Sequence, residues 1–492
     1  LYALAVPPRD AWLAGWAIPG VLLVAARTLG VRRAAVGGVI AGVLAAYGTV
    51  GWAVDAALAY FDFERWRAAA FLAGVWLVYV GSSFAAMCAG YAWVARRLRR
   101  AWWPFAAGCC WAGAEWVRAT MLYGLPWLLL GHTQYRVAPV VQVADLGGVY
   151  AVSFIMAATS VAVGEAMVAW RQPRWRGRLL GSAAVVLVAT LAYGGWAAHR
   201  WERAPAGTAG RTVAVVQANV ANEFRWQREF FTRALIRFVA MSRRASGELD
   251  LLVWPENAVN FYLEREALFR DMLRPVAASA REGLLVGAPR LGDDGAARNA
   301  AFLVDGQGEV RAAYEKHHLL PFAEYRPPLF GAPAPTSEPR YIRGARPMPV
   351  DTGATRLGVF ICWDSDFAGL VRHLVRDGAQ LLVALSNDAW LDGPSHAGPE
   401  QHLIATVFRA IETRRWLVRA ASTGVSGFVS PAGTLVGALP IGAADVTTAR
   451  VAVGTGLTFY VRFGDAWLLA AGLVLLIALG RAGRTHAPEP PP

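Results

Sequence analysis

A bundle of membrane-spanning α-helices joined to an α/β layered domain is the fold class that this 492-residue sequence predicts. Three observations predict it. The composition is 56% hydrophobic and only 17% charged, against about a quarter charged in ordinary soluble domains. Apolar stretches recur at the length, about 20 residues, that crosses a bilayer. One long interior segment breaks that pattern and alternates strand-like with helix-like runs.

The apolar stretches come first in the chain. Six fall at about 11–29, 36–59, 68–95, 101–122, 147–169 and 179–197, and a seventh at 465–480. A further apolar piece, Pro126 to Leu130, is too short to span and reads as re-entrant or interfacial. The net charge is +13, and its arginines crowd the short loops between spans. That distribution fits membrane orientation rather than nucleic-acid binding. Loops rich in arginine (27–33, 96–100, 171–178 and 481–484) alternate with poorer ones. The rich loops are expected on the cytoplasmic side. Leu1 and the segment between the sixth and seventh spans then lie outside.

That segment, 198–464, carries eight strand-like runs: Thr212–Gln217, Leu251–Trp254, Leu284–Gly287, Ala301–Val304, Leu357–Ile361, Leu381–Leu385, Leu417–Ala420 and Ser426–Val429. Helical patterns at 227–245, 264–281, 366–377 and 399–415 fall between several of them. The tail 481–492, ending PEPPP, is expected to be disordered.

Three stretches of the segment place a reactive side chain where a buried strand gives out, the position at which α/β domains hold catalytic groups. They are LLVWPEN with Glu256, YEKHHLLPFAEY with Lys316 and Glu324, and GVFICWDSDF with Cys362. Lys316 is the single lysine in a chain where Lys and Arg together number 48. A compact ammonium there suggests work that a planar guanidinium cannot do. Of the four cysteines, Cys88, Cys109 and Cys110 lie in apolar spans and Cys362 alone lies outside them. With no CxxC pair, no disulfide framework is expected. A thiol needs a base or a nearby cation to become a nucleophile. Glu256 is the candidate base and Lys316 the candidate cation, able to hold a thiolate and then an oxyanion. The Trp363 N–H is a second candidate oxyanion donor.

Blander readings exist for each residue. Cys362 alone could be an ordinary buried cysteine, and Glu256 alone a cap. His317 and His318 lack HExxH or CxxC spacing, so no metal and no cofactor are expected. His373, His396 and His402 could each pair with the thiol, but no local signature singles one out. Glu115 and Arg118, three apart in an apolar span, share a helix face. They read equally as an internal ion pair or as a functional site.

Glu256, Lys316 and Cys362, in this chain order, resemble the catalytic set of the nitrilase superfamily. That resemblance implies an α/β/β/α sandwich, with Glu256 as general base, Lys316 as oxyanion lysine and Cys362 as nucleophile. Glu324, Trp363 and Asp364 would be supporting residues. Asp364 stands where the family usually has glutamate, so its shorter arm sets the contacts of that carboxylate. Membrane spans on both sides of such a domain resemble the apolipoprotein N-acyltransferase family. So do GLPW (124–127) with Gly131 and Gln134, then Trp226 and SNDAW (386–390), which imply substrate contacts at Trp226, Asn387 and Trp390. The resemblance implies a division into membrane helices 1–197, a periplasmic catalytic domain 198–464, a last span 465–480 and a cytoplasmic tail. The family has eight spans beginning inside, so seven spans with Leu1 outside suggest that the first is missing.

The activity implied is a two-step acyl transfer. An ester of a membrane phospholipid acylates Cys362, and the α-amine of a diacylglyceryl-cysteine on an apolipoprotein takes the acyl chain. A monomer in the bacterial inner membrane, without cofactor and without nucleic acid, is the expected setting. Two rivals stand beside it: a membrane-tethered amidase of nitrilase type, and a polytopic sensor or transporter whose external domain is not catalytic.

Overall fold

The computed structural model describes residues 1–61, 64–121, 123–202, 210–220, 228–325, 341–391 and 395–485. The expected tail beyond 485 and Trp226 lie outside the described residues. The chain forms two compact units: Leu1–Leu58, Phe63–Ala198 and Phe463–Pro492 make one, and Ala59–Asp62 with His199–Arg462 make the other.

The first unit is helical. Among its described residues four helices are long and apolar enough to cross a membrane: Val31–Val50, Arg65–Ala95, Ala144–Val168 and Pro173–Glu202. Leu13–Leu29 and Ala466–Ala482 are apolar but shorter, and Trp103–Thr120 completes the set of longer helices. The stretch expected as one span at 36–59 is divided near Gly51 into Val31–Val50 and Trp52–Phe61. Helix Val31–Val50 buries Ala34, Gly38, Gly42 and Ala46, one residue per turn. A methyl on Gly38 would sit 2.5 Å from the Phe84 carbonyl oxygen. Small residues on this stripe let two helix backbones touch, the usual means of packing where lipid removes the hydrophobic drive.

Glu115 and Arg118 both hold the loop that follows their helix. Glu115 Oε1 accepts the Leu130 N–H at 2.7 Å and the Trp111 indole at 2.9 Å. Arg118 donates to the carbonyls of Trp127 and Leu128 at 2.8 and 3.0 Å. Leu128 has φ of 61°, a conformation that a branched side chain keeps only when its surroundings over-determine it. The piece Pro126–Leu130 is therefore a clasped loop, followed by a short 3-10 turn over Leu130–Gln134.

The second unit stacks two six-stranded sheets. One runs β12-β1-β2-β3-β4-β5 and the other β11-β10-β9-β8-β7-β6. The strands of the first are β1 (Gly210–Gln217), β2 (Leu251–Val253), β3 (Leu284–Leu291), β4 (Ala297–Val304), β5 (Val310–Glu315) and β12 (Asp445–Ala452). Those of the second are β6 (Val350–Asp351), β7 (Arg356–Ile361), β8 (Leu381–Ser386), β9 (Leu417–Ala421), β10 (Ser426–Val429) and β11 (Leu435–Leu439). β1, β2 and β3 pair in parallel, as do β7, β8 and β9.

Side chains alternate between the faces of a strand. In the first sheet Ala214, Val216, Leu252, Trp254, Leu284, Val286 and Phe302 pack with Leu235, Phe238, Leu273 and Val276 of helices Arg228–Ser242 and Ala267–Ala277. Their neighbours Val213, Val215, Leu251, Val253 and Leu285 are buried on the other face, toward the second sheet. Helices Ala368–Arg376 and Ala397–Thr413 cover the second sheet. The order of layers is α/β/β/α.

Among the described residues, eight of the twelve strands match apolar runs in the sequence. The four without such a run are β5, β6, β11 and β12, and they are the four sheet edges. Edge strands are half solvated and carry polar residues that guard an open ladder. Thus β12 reads DVTTARVA and is mostly half-buried or exposed, while β8 reads LLVALS and is buried throughout.

Candidate active site

Four strands of the second unit end at one place. Glu256 follows β2 by three residues, Lys316 follows β5 directly, Cys362 follows β7 directly and Asn387 follows β8 directly. Each is held by local structure. Trp254 stacks on Phe238, with ring centroids 4.9 Å apart, and its indole donates to Ser242 at 2.9 Å. That anchors the turn carrying Glu256. Gly287 on β3 lets the turn pass, because a methyl there would lie 2.4 Å from the Pro255 carbonyl oxygen. Lys316 keeps the strand register, its N–H donating to Asn299 O at 2.8 Å.

The side chains converge. Lys316 Nζ lies 3.3 Å from Glu256 Oε1 and 3.0 and 2.9 Å from the two oxygens of Glu324. Asn299 on β4 donates from one amide nitrogen to Glu256 Oε1 at 2.7 Å and to Glu324 Oε1 at 2.9 Å. The Asn387 N–H, from the opposite sheet, donates to Glu256 Oε2 at 2.7 Å. Both oxygens of Glu256 are thus aimed by fixed donors, one set from each sheet. Lys316 is almost wholly buried. Burial alone would lower its pKa, but the negative charges around it, of the Cys362 thiolate when it forms and of Glu256 and Glu324, raise it well above the ordinary lysine value. The ammonium therefore stays charged.

Cys362 is buried and has φ of 48°. A left-handed, non-glycine residue at a strand end is a strained turn of the kind found where a nucleophile must be presented. Burial pushes the Cys362 thiol well above its ordinary pKa, the Glu256 carboxylate pushes the same way, and the Lys316 ammonium pulls it back. The shift favours the neutral thiol, which would need a base before its sulfur could act as a nucleophile.

Asp364 ties the Cys362 turn to the end of β5. Its Oδ2 accepts from Tyr314 Oη at 2.8 Å, Ile361 N at 3.2 Å and His317 N at 3.4 Å. Its Oδ1 accepts from His318 N at 2.6 Å and lies 3.3 Å from His318 Nδ1. Burial would raise the Asp364 carboxyl, but hydrogen bonding and charge from His318, with the Lys316 charge, hold it below the ordinary value. The shorter acid thus joins residues 314–318 and 361 in one knot, with Lys316 and Cys362 on either side of it. Asp364→Ala is expected to strand these buried donors at about 1–3 kcal/mol each. The check is the thermal midpoint in detergent: a marked fall, with a smaller one for Asp364→Asn, which keeps one acceptor. A midpoint for the alanine variant equal to wild type would refute the knot.

His317 and His318 are engaged around Asp364, and His318 stacks on Phe367 with centroids 3.7 Å apart. Among the described residues no group of three or more His, Cys, Asp or Glu could hold a metal ion. Trp363 meets Phe367 edge-on at 5.8 Å. Asn387 also caps the short turn Asp388–Trp390, its side chain accepting from Ala389 N. Sequence reasoning missed Asn299. The signal was present: an asparagine inside the strand ARNAAFLV is out of place by propensity, and a buried one must be hydrogen-bonded.

Two stacked sheets with an acid, an ammonium and a thiol at their shared strand ends define the class. Residues 212–456 match the carbon-nitrogen hydrolase family model, and residues 1–162 match that of the apolipoprotein N-acyltransferase N-terminal domain. Curated relatives agree with both. The apolipoprotein N-acyltransferase of Geobacter metallireducens is 36% identical over 383 residues, covering 75% of this chain and 72% of the relative. That of Azotobacter vinelandii is 32% identical over 464 residues, covering 90% and 87%. The chain belongs to the apolipoprotein N-acyltransferase family. Solved structures with similar parts include Saccharomyces cerevisiae Nit3, at 18% identity and a TM-score of 0.39 over 49% of this chain and 90% of that one. An amidase from Nesterenkonia sp. is 22% identical, with a TM-score of 0.36, over 53% and 95%.

Proposed function

We propose that this protein moves an acyl chain from a membrane phospholipid, through a thioester on Cys362, to the α-amine of the diacylglyceryl-cysteine that begins an apolipoprotein. The observation that carries the reading is the convergence of Glu256, Lys316 and the Cys362 turn, in a chain whose family has this activity in its name. Glu256 takes the proton from Sγ. The thiolate adds to the ester carbonyl, and the oxyanion is held by Lys316 with the Trp363 N–H. Collapse breaks the ester C–O bond. The lysophospholipid leaves with the proton from Glu256, and Cys362 keeps the acyl group. In the second half-reaction the amine adds to the thioester, gives its proton to Glu256, and the C–S bond breaks to regenerate the thiol.

Glu324 keeps Lys316 aimed, its two oxygens lying 3.0 and 2.9 Å from Nζ. Asn387 and Trp390, on the turn whose N–H reaches Glu256, are assigned to substrate contact. The domain at 198–464 would face the periplasm from a multi-pass monomer in the bacterial inner membrane, where both lipid-anchored substrates can reach it. Family membership disfavours a tethered amidase and a non-catalytic sensor or transporter.

Mass spectrometry on the Cys362 peptide tests the reading. Purified protein incubated with phospholipid should carry a hydroxylamine-sensitive acyl mass that a diacylglyceryl-cysteine peptide discharges. Discharge by water alone would point to a hydrolase, and no adduct on folded protein would sink the assignment of Cys362.

A further inference from the structure

Beneath the Cys362 turn lies a second polar cluster that the acyl-transfer chemistry does not use. Its members come from four elements: Ser365 from the Cys362 turn, Asp388 from the end of β8, His402 from helix Ala397–Thr413 and Arg419 from β9. Every one of these side chains is buried. Asp388 Oδ1 lies 2.8 Å from His402 Nδ1, and Asp388 Oδ2 accepts from Arg419 at 2.8 Å. Ser386 donates to Asp388 as well, at 2.5 Å. Although burial acts to raise it, the charges of Arg419 and His402 hold the Asp388 carboxyl far below the usual range. It is an acceptor only, so the hydrogen between it and His402 sits on Nδ1.

The other ring nitrogen faces the nucleophile's own backbone. His402 Nε2 lies 3.3 Å from the carbonyl oxygen of Cys362 and 3.2 Å from Ser365 Oγ. Ser365 Oγ is itself 2.6 Å from that carbonyl and donates to it. Its hydrogen being committed there, two oxygens turn lone pairs toward Nε2, and a hydrogen on Nε2 satisfies both; with the other hydrogen on Nδ1 facing Asp388, the ring is then the imidazolium form. Asp366, whose Oδ2 is 3.9 Å from Nε2, is the remaining acid facing the ring, and Arg419 the cation beside Nδ1.

We propose that His402, oriented by Asp388 and Arg419, is a positioning residue for the nucleophile: its Nε2–H grips the Cys362 carbonyl and, with Ser365, holds the left-handed turn that aims the thiol. The Cys362 backbone is then clamped on both sides. Asp364 holds the Ile361 N–H before it, and His402 with Ser365 hold its carbonyl after it. A turn at φ of 48° is strained and relaxes once its restraints are removed. A nucleophile misplaced by about 1 Å can lose about 100-fold in rate. The sequence offered His402 only as one of three histidines that could pair with the thiol. The fold turns it to the carbonyl instead.

The inference rests on Cys362 being the acylated residue, and two isosteres test it. In His402→Gln the amide nitrogen takes the place of Nε2, and in His402→Asn it takes the place of Nδ1. Acyl-enzyme formation from phospholipid is measured for each in the full chain, with kcat and KM separated. The glutamine variant should keep a rate within about tenfold of wild type, and the asparagine variant should fall about 100-fold in kcat at unchanged KM. Asparagine equal to or better than glutamine would mean that His402 merely satisfies Asp388, and would overturn the proposal. Should both variants fail to fold, Ser365→Ala removes the other grip with little change in volume. It should lower kcat about tenfold at unchanged KM, and a wild-type rate would overturn the proposal. A wild-type protein that forms no thioester would remove the acyl-transfer reading first, before any variant is compared.

Discussion

Glu256→Gln is expected to stop acyl transfer while making the Cys362 thiol more acidic. The two effects have opposite signs on reactivity, and both follow from the geometry. In the proposed mechanism Glu256 takes the proton, and a positioned base contributes about 10²–10⁴-fold. Its negative charge also raises the thiol, in concert with burial. Glutamine keeps the shape and one accepting oxygen, enough for either the Asn299 or the Asn387 contact, and removes the charge. The thiol should titrate at lower pH, so alkylation by iodoacetamide at a fixed neutral pH should be faster in the variant. Thioester formation from phospholipid should fall to near background. The pair of measurements separates a base from a structural acid: an alkylation profile unmoved, or moved to higher pH, would contradict the electrostatic account. Retained acylation would contradict the assignment of the base.

The second large effect is expected at Lys316, where charge and shape can be separated. Lys316→Met removes the cation that lies between Glu256 and Glu324. Breaking a buried ion pair from one side costs about 3–5 kcal/mol, because the other charges stay buried without compensation. The thiol, no longer pulled down by the ammonium, should move to higher pH, the reverse of the glutamine variant. Lys316→Arg keeps the charge. A guanidinium is wider than an ammonium, and overfilling a packed site costs about 1–3 kcal/mol. Acylation should fall about 10²–10³-fold with the loss of an aimed oxyanion donor, in both variants. Thermal midpoints in detergent, alkylation against pH, and acyl-enzyme formation read these effects separately. An arginine variant as fast as wild type would mean that any cation suffices there, and the argument from the chain's only lysine would fall.

Much of this arrangement was legible before folding. The WPEN and GVFICWD stretches each announce a buried strand that stops at a chemically able side chain, whereas the strand before YEKHH is a sheet edge, mostly half-buried. The absence of other lysines marked Lys316, and position outside the spans marked Cys362. Asn299 was missed because a single amide in a strand carries no periodic signal. His402 was one of three equal candidates because nothing local distinguishes a histidine aimed at a thiol from one aimed at a carbonyl. Asp364 was recognised as shorter than the residue usual in the family. That its five contacts are nonetheless made depends on how β5 and β7 are brought together.

By itself the sequence determined the elements whose burial is read from one local pattern: the long apolar helices among the expected spans, and the eight strands with continuous apolar runs. Hydrophobic periodicity reports burial of a face, and that property belongs to a few consecutive residues. Tertiary structure alone decided the rest. The four edge strands are defined by pairing on one side only, so they carry no strong apolar run. Glu256 meets Asn387 across 131 residues of chain and Tyr314 meets Asp364 across 50. Such contacts are set by strand order and by the stacking of two sheets, and a hydrogen bond made at that separation leaves no mark in the residues between.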